Sequence, residues 1–187
     1  MFILPRTASA GLVIIFEEVG SDVVATLSGS FATLPTSVNN VNYILRNRVA
    51  GGLPYFDATD RPSGTSVNLN DYSFNTTFPT FGTDTNISRA TTSTANTSVF
   101  LNGVQVSLEP SYVPGTPFSG ALTWEGQSFA SLSLTEGEYV GTLANAETVT
   151  INVGDLSPIP EPGTAGGVAA LFAVGTAFTR RRQRRSA

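Results

Sequence analysis

The chain contains no cysteine, no histidine and no lysine. Without cysteine there is neither a disulfide framework nor a thiolate metal site, so the fold must hold by its core alone. Without histidine or lysine there is no Ser-His-Asp or Cys-His nucleophile system, no Ser-Lys dyad, no Schiff base and no ordinary zinc site. What remains is carboxylate chemistry, with Glu17 and Glu18, Asp57 and Asp60, and Glu136 and Glu138 as its candidates. Adjacent Glu17 and Glu18 project to opposite faces of a strand, so they cannot form the facing pair that glycoside hydrolysis needs. Glu136 and Glu138 flank Gly137 in a hairpin-like context where acids decorate turns. Asp57 and Asp60 lie in a loop with oxygens to offer calcium, yet without the dense Asp/Asn/Gly spacing of a calcium loop. The expectation is a non-enzymatic protein with no metal site and no cofactor.

Helical periodicity is also missing before Pro160, and the punctuation there is that of an all-β domain. Leu12 to Phe16 is a short apolar run, and Gly20-Ser21 separates it from Asp22 to Phe31, so the two read as a hairpin. Val99 to Leu108 surrounds Asn102-Gly103, either a tight type I′ turn or a bulged strand. Ala121 to Phe129, Ala130 to Leu134 and Glu147 to Val153 complete a series of short strands. The pattern predicts one antiparallel β-sandwich over residues 11–156, with Trp124, Phe129, Leu132, Tyr139, Val149 and Ile151 in its core.

Residues 57–98 are rich in Ser, Thr and Asn and poor in aliphatics, which predicts long surface loops or thin edge strands. Tyr72, Phe74, Phe78 and Phe81 are spaced among these polar residues. They form either an aromatic platform for sugar rings, as in a carbohydrate-binding module, or pins that hold the loop to the core. Asn75, Asn86 and Asn96 each open an Asn-x-Ser/Thr sequon.

The overall charge of −4 hides a separation. Five arginines against thirteen acids leave residues 1–160 at −8, while five arginines against Glu161 leave the tail at +4. An acidic domain repels nucleic acid, so no nucleic-acid partner is expected.

The tail has three ordered parts. Pro160, Glu161 and Pro162 precede a charge-free stretch, Gly163 to Phe178, which ends in Arg180, Arg181, Arg182, Arg184 and Arg185. At about 1.5 Å per residue the 17 residues from Gly163 to Thr179 reach roughly 25 Å, just under the usual hydrocarbon thickness of about 30 Å. Val168, Leu171, Phe172, Val174 and Phe178 supply its large apolar surface, and its Gly and Ala content suits a temporary transmembrane helix. The arginines at its end place the C-terminus in the cytoplasm and the domain outside. A buried amphipathic helix would carry interspersed polar residues, a nucleic-acid patch would not sit beside an apolar span in an acidic chain, and a lipid-anchor signal does not normally end in basic residues.

Ile159-Pro160-Glu161-Pro162, the apolar span and the arginine end together resemble the PEP-CTERM sorting signal of bacterial surface and exopolysaccharide-associated proteins. The resemblance covers residues 157–187. It implies that Pro160, Glu161 and Pro162 are a recognition element for an exosortase, that Gly163 to Phe178 is the membrane anchor, and that the arginines hold orientation. It also implies extracellular polysaccharide as a partner. Phe16 to Ser30, Tyr112 to Thr116 and Leu134 to Tyr139 resemble turns of a subset of these proteins that carries no assigned activity. An exported chain needs an N-terminal signal, and Met1-Phe2-Ile3-Leu4 is too short for one. Ala8-Ser9-Ala10 nevertheless has the small-x-small form of a signal-peptidase site, so residues 1–10 read as the remnant of a truncated signal peptide.

Overall fold

The structure, a computed structural model, describes residues 11–154. Residues 1–10 and 155–187, and with them the expected signal remnant, sorting motif, membrane span and basic cluster, lie outside the described residues. By compactness the chain divides into Met1–Leu156 and Ser157–Ala187. In chain order the strands are β1 (Gly11–Val19), β2 (Asp22–Ser30), β3 (Asn39–Ile44), β4 (Arg48–Ala50), β5 (Tyr55–Ala58), β6 (Ser66–Ser73) and β7 (Ser88–Arg89). They continue with β8 (Thr92–Ser93), β9 (Val99–Asn102), β10 (Gln105–Leu108), β11 (Gly120–Trp124), β12 (Gly137–Thr142) and β13 (Thr148–Val153). No helix occurs among the described residues, and so none there is long and apolar enough to cross a membrane.

The strands form two sheets, one ordered β12-β13-β1-β2-β11-β8 and the other β3-β6-β10-β9-β5-β4-β7. Pairing is antiparallel with one exception. β13 runs parallel to β1, with Ile14 opposite Ile151 and Phe16 opposite Val153. A parallel neighbour requires a long crossover, and here the whole excursion through the second sheet supplies it. The expected antiparallel arrangement thus holds for the sheets except at that seam.

Inward residues alternate along β1 and β2. Leu12, Ile14, Phe16, Val23, Ala25 and Leu27 are all buried, and they meet Phe56, Leu101, Val106 and Leu108 of the facing sheet in one cluster. Phe16 is at the crossing point, edge-on to Phe56 at 6.0 Å, stacked on Phe81 at 6.2 Å and 5.9 Å from Trp124. Truncating such a ring typically costs about 3–5 kcal/mol, a large part of a domain stability of about 5–15 kcal/mol. Trp124, Phe129, Leu132, Val149 and Ile151 are buried as expected, and Tyr139 packs half-buried against the same cluster.

Three local expectations change. The β9–β10 hairpin turns at Gly103-Val104, neither of which has positive φ, so it is not type I′. Instead the Asn102 side chain accepts from the amides of Val104 and Gln105 at 2.9 and 3.1 Å. Ala130 to Leu134 is a compact turn rather than a strand. The Ser128 amide donates to Ser131 Oγ at 2.8 Å and the Ser131 amide to Ser128 Oγ at 3.2 Å, the side-chain competition with the ladder that serine favours. Within 57–98, β6 is a full strand between β3 and β10, because Val67, Leu69 and Asp71 are buried on one face, opposite the face on which Tyr72 joins the main cluster, despite their polar neighbours. That face carries a second, smaller apolar cluster: Leu45, Val67, Leu69 and Phe100, with Tyr43 and Tyr55 packed against it.

Candidate functional site

Tyr72, Phe74, Phe78 and Phe81 are all buried in the main cluster, so these four rings form no exposed platform. Their position follows from a gap opposite them. Gly141 of β12 has no side chain, and Phe74 and Phe78, 5.3 Å apart between centroids, fill the space above it. Phe81 stacks on Phe16, and its amide donates to the Gly51 carbonyl at 3.1 Å. These residues pin the segment after β6 to the core.

The carboxylates behave as staples. Asp57, fully buried on β5, accepts from the Arg46 amide at 2.7 Å, from Arg48 Nε at 2.7 Å and from the Tyr55 hydroxyl at 2.6 Å. Arg48 also donates to the Ile44 carbonyl and contacts the Tyr55 hydroxyl, its guanidinium lying 5.0 Å from the Tyr55 ring centre. Burial pushes the Tyr55 hydroxyl well above the ordinary tyrosine range, and donation to Asp57 pushes it further. Asp71 accepts from the Tyr43 hydroxyl at 3.1 Å, and burial followed by the Asp71 charge raises Tyr43 likewise. Glu147 accepts from the amides of Ala32 and Thr33 at 2.9 and 3.0 Å, and Glu18 from that of Phe129 at 2.6 Å. Glu18 thus ties the segment after β11 to β1, and Glu147, just before β13, holds the segment after β2. Asp57 and Asp60 therefore do not converge on a shared cation, and among the described residues no three acids gather as a metal site.

Asp60 faces a different environment, outside the core at the end of β5. Its Oδ1 accepts from Ser98 Oγ at 3.0 Å, and Arg61 bridges it to Glu109, with Arg61 Nη2 3.3 Å from Glu109 Oε1. Arg61 and Asp60 are more than one-third exposed, so this pairing is worth little as stability and much as charge placement. On one side of Asp60 a hollow of about 290 Å³ is lined by Asn96, Glu109, Ser111 and Tyr112. On the other a hollow of about 480 Å³ is lined by Asn47, Arg61, Ser63 and Thr94. Tyr112 is held rigidly: it stacks on Phe118 at 4.9 Å with ring planes 4° apart, donates to the Thr116 carbonyl at 2.9 Å and accepts from the Phe31 amide at 3.1 Å. Burial raises its hydroxyl above the usual range.

Comparison with protein-family models, with curated proteins and with solved structures returns no match. The chemistry of the cleft therefore stands on its own residues. Carboxylates, amides and hydroxyls line the two hollows, with Ser98 Oγ donating to Asp60 at 3.0 Å and Ser111 Oγ to Glu109 at 3.3 Å. From the sequence Asp60 was visible only as a partner to Asp57, Asn96 only as a sequon and Tyr112 only as a turn residue. Asn96 is committed to structure: its Nδ2 donates to the Pro117 carbonyl and its Oδ1 accepts from the Ser119 amide, both at 3.0 Å. No sequence signal brings Asp60, Asn96, Glu109 and Tyr112 together, because strand pairing across distant segments does so.

Proposed function

We propose that this chain is a non-enzymatic, exported surface or extracellular-matrix protein of the PEP-CTERM kind. In this reading an all-β sandwich is displayed outside the cell, held at first by a transmembrane helix, Gly163 to Phe178, and then cut near Pro160-Glu161-Pro162 by an exosortase-type enzyme. The observation that carries it is the order of three elements within residues 160–185: a proline-bracketed carboxylate, an apolar span just under bilayer length and a cluster of arginines. The acidic charge of the preceding residues supports it, since such a surface stays soluble beside anionic cell envelopes. The C-terminal peptide of the native protein tests the reading directly.

A second reading is favoured by the cleft around Asp60. Here the displayed domain binds extracellular polysaccharide through Asp60, Glu109 and Tyr112, in hollows whose lining is predominantly polar. Titration with neutral and acidic polysaccharides tests it, and heat-silent titrations across such a panel would dismiss it.

A further inference from the structure

Four strand edges bound the two sheets, and three of them are protected. β7 and β8 are two residues long, and β12 carries Glu138 between Gly137 and Gly141, with Glu136 just before it. Short length and charge are the usual defences of an exposed edge. β3 has neither. Asn39–Ile44 is six residues long, and from Val38 to Ile44 it contains no charge, no proline and no glycine, in a domain whose surface is acidic. Val38, Val41 and Ile44 are 54%, 38% and 49% exposed, and β3 has β6 as its one paired neighbour among the described residues.

The order of residues along this edge is close to a palindrome. Antiparallel pairing of the edge with itself, centred on Val41, sets Val41 against Val41, Asn40 against Asn42, Asn39 against Tyr43 and Val38 against Ile44. All three exposed apolar residues then meet apolar residues. The asparagines extend an arrangement already present, since Asn40 Nδ2 donates to Asn70 Oδ1 at 2.9 Å and Asn42 Nδ2 to Asn68 Oδ1 at 3.0 Å. Self-pairing continues these into two rows, each running Asn70, Asn40, then Asn42 and Asn68 of the second copy, a ladder of the kind that stabilises stacked strands. A shift of one residue sets Val41 against Asn42 and moves every side chain to the wrong partner.

We infer that β3 is the interface of a two-fold symmetric homodimer, in which the β3-containing sheets of two copies join edge to edge into one continuous sheet. Such an interface is isologous, which a near-palindromic strand satisfies without further design. Its lack of charge keeps two acidic domains from opposing like charges at the contact.

The absence of cysteine makes the test clean. In the full chain, Val41→Cys places one thiol beside its symmetry mate, because opposed residues in an antiparallel pair have Cα atoms about 4.5–5.5 Å apart, within disulfide range. Mild oxidation is expected to give a covalent dimer with Val41→Cys and not with Val104→Cys, a 59% exposed position in the β9–β10 turn. By sedimentation the unmodified chain is expected at twice the chain mass and Val41→Lys at the mass of one chain, because two lysines would then face each other across the axis. A monomeric unmodified chain, a dimer that survives Val41→Lys, or equal cross-linking of the two cysteine variants would each overturn the inference.

Discussion

Phe78 lies across Gly141 so closely that a β-carbon added to the glycine would sit 2.3 Å from its Cδ2 and 2.9 Å from Phe74 Cε1. Two aromatic rings from the polar middle of the chain and a glycine of β12 thus form a single packing unit between distant segments. Gly141→Ala is expected to destabilise the domain by about 1–3 kcal/mol, the usual cost of overpacking, and so to lower Tm by roughly 3–10 °C. Phe78→Leu in the same chain makes room, so thermal melts of the double variant should show less loss than the two single losses combined.

Asp57 accepts from three residues, Arg46, Arg48 and Tyr55. Removing it as Asp57→Ala leaves the Arg46 amide and the Arg48 guanidinium without their shared acceptor, and Arg48 is 18% exposed. The expected loss is about 3–5 kcal/mol, as for breaking a buried pair from one side. Urea unfolding checks this, and a loss below that of an ordinary surface substitution would mean that the network contributes nothing.

Alkaline pH should weaken the domain through its tyrosines. Burial favours the neutral hydroxyl at Tyr55, Tyr43 and Tyr112, so each ionises at a higher pH in the folded chain than in the unfolded one. The unfolded chain releases its protons first, so the stability these groups contribute is complete below about pH 10 and falls as pH rises beyond it. Denaturant midpoints should be flat between neutrality and about pH 9 and then decline. Absorbance at the phenolate band should rise late and jump on unfolding. Tyr55→Phe should make the decline shallower.

The polar cleft gives a prediction separable from stability. Asp60→Ala, at a side chain more than one-third exposed, should abolish polysaccharide binding, while a melt within a few degrees of the parent keeps the fold out of the explanation. Binding that persists in this variant would place any ligand elsewhere.

Much of this fold was legible in the sequence because its first and last strands follow simple rules. The apolar run from Leu12 to Phe16, the Gly20-Ser21 turn and the alternation from Thr148 to Val153 each announce a strand, and the structure has them as β1, β2 and β13. β3 was not legible, since Asn39, Asn40 and Asn42 have poor strand propensity and are held by pairing with β6. β6 was hidden for a related reason, as its polar residues alternate with only Val67, Leu69 and Tyr72 as apolar markers. Tyr72, Phe74, Phe78 and Phe81 show the limit most clearly. Aromatic spacing among polar residues fits an exposed platform and a buried pin equally well, and the deciding partner, Gly141, is far along the chain. The cleft at Asp60 depends on such long-range pairing throughout.

The central claim concerns the tail, and the intact mass of the native protein, recovered from its own cells and medium, with sequencing of its C-terminal peptide, tests it most directly. The account predicts a mature chain ending near Pro160-Glu161-Pro162, without Gly163 to Phe178 or the arginines beyond. A mature protein that still ends in Ala187 would contradict it.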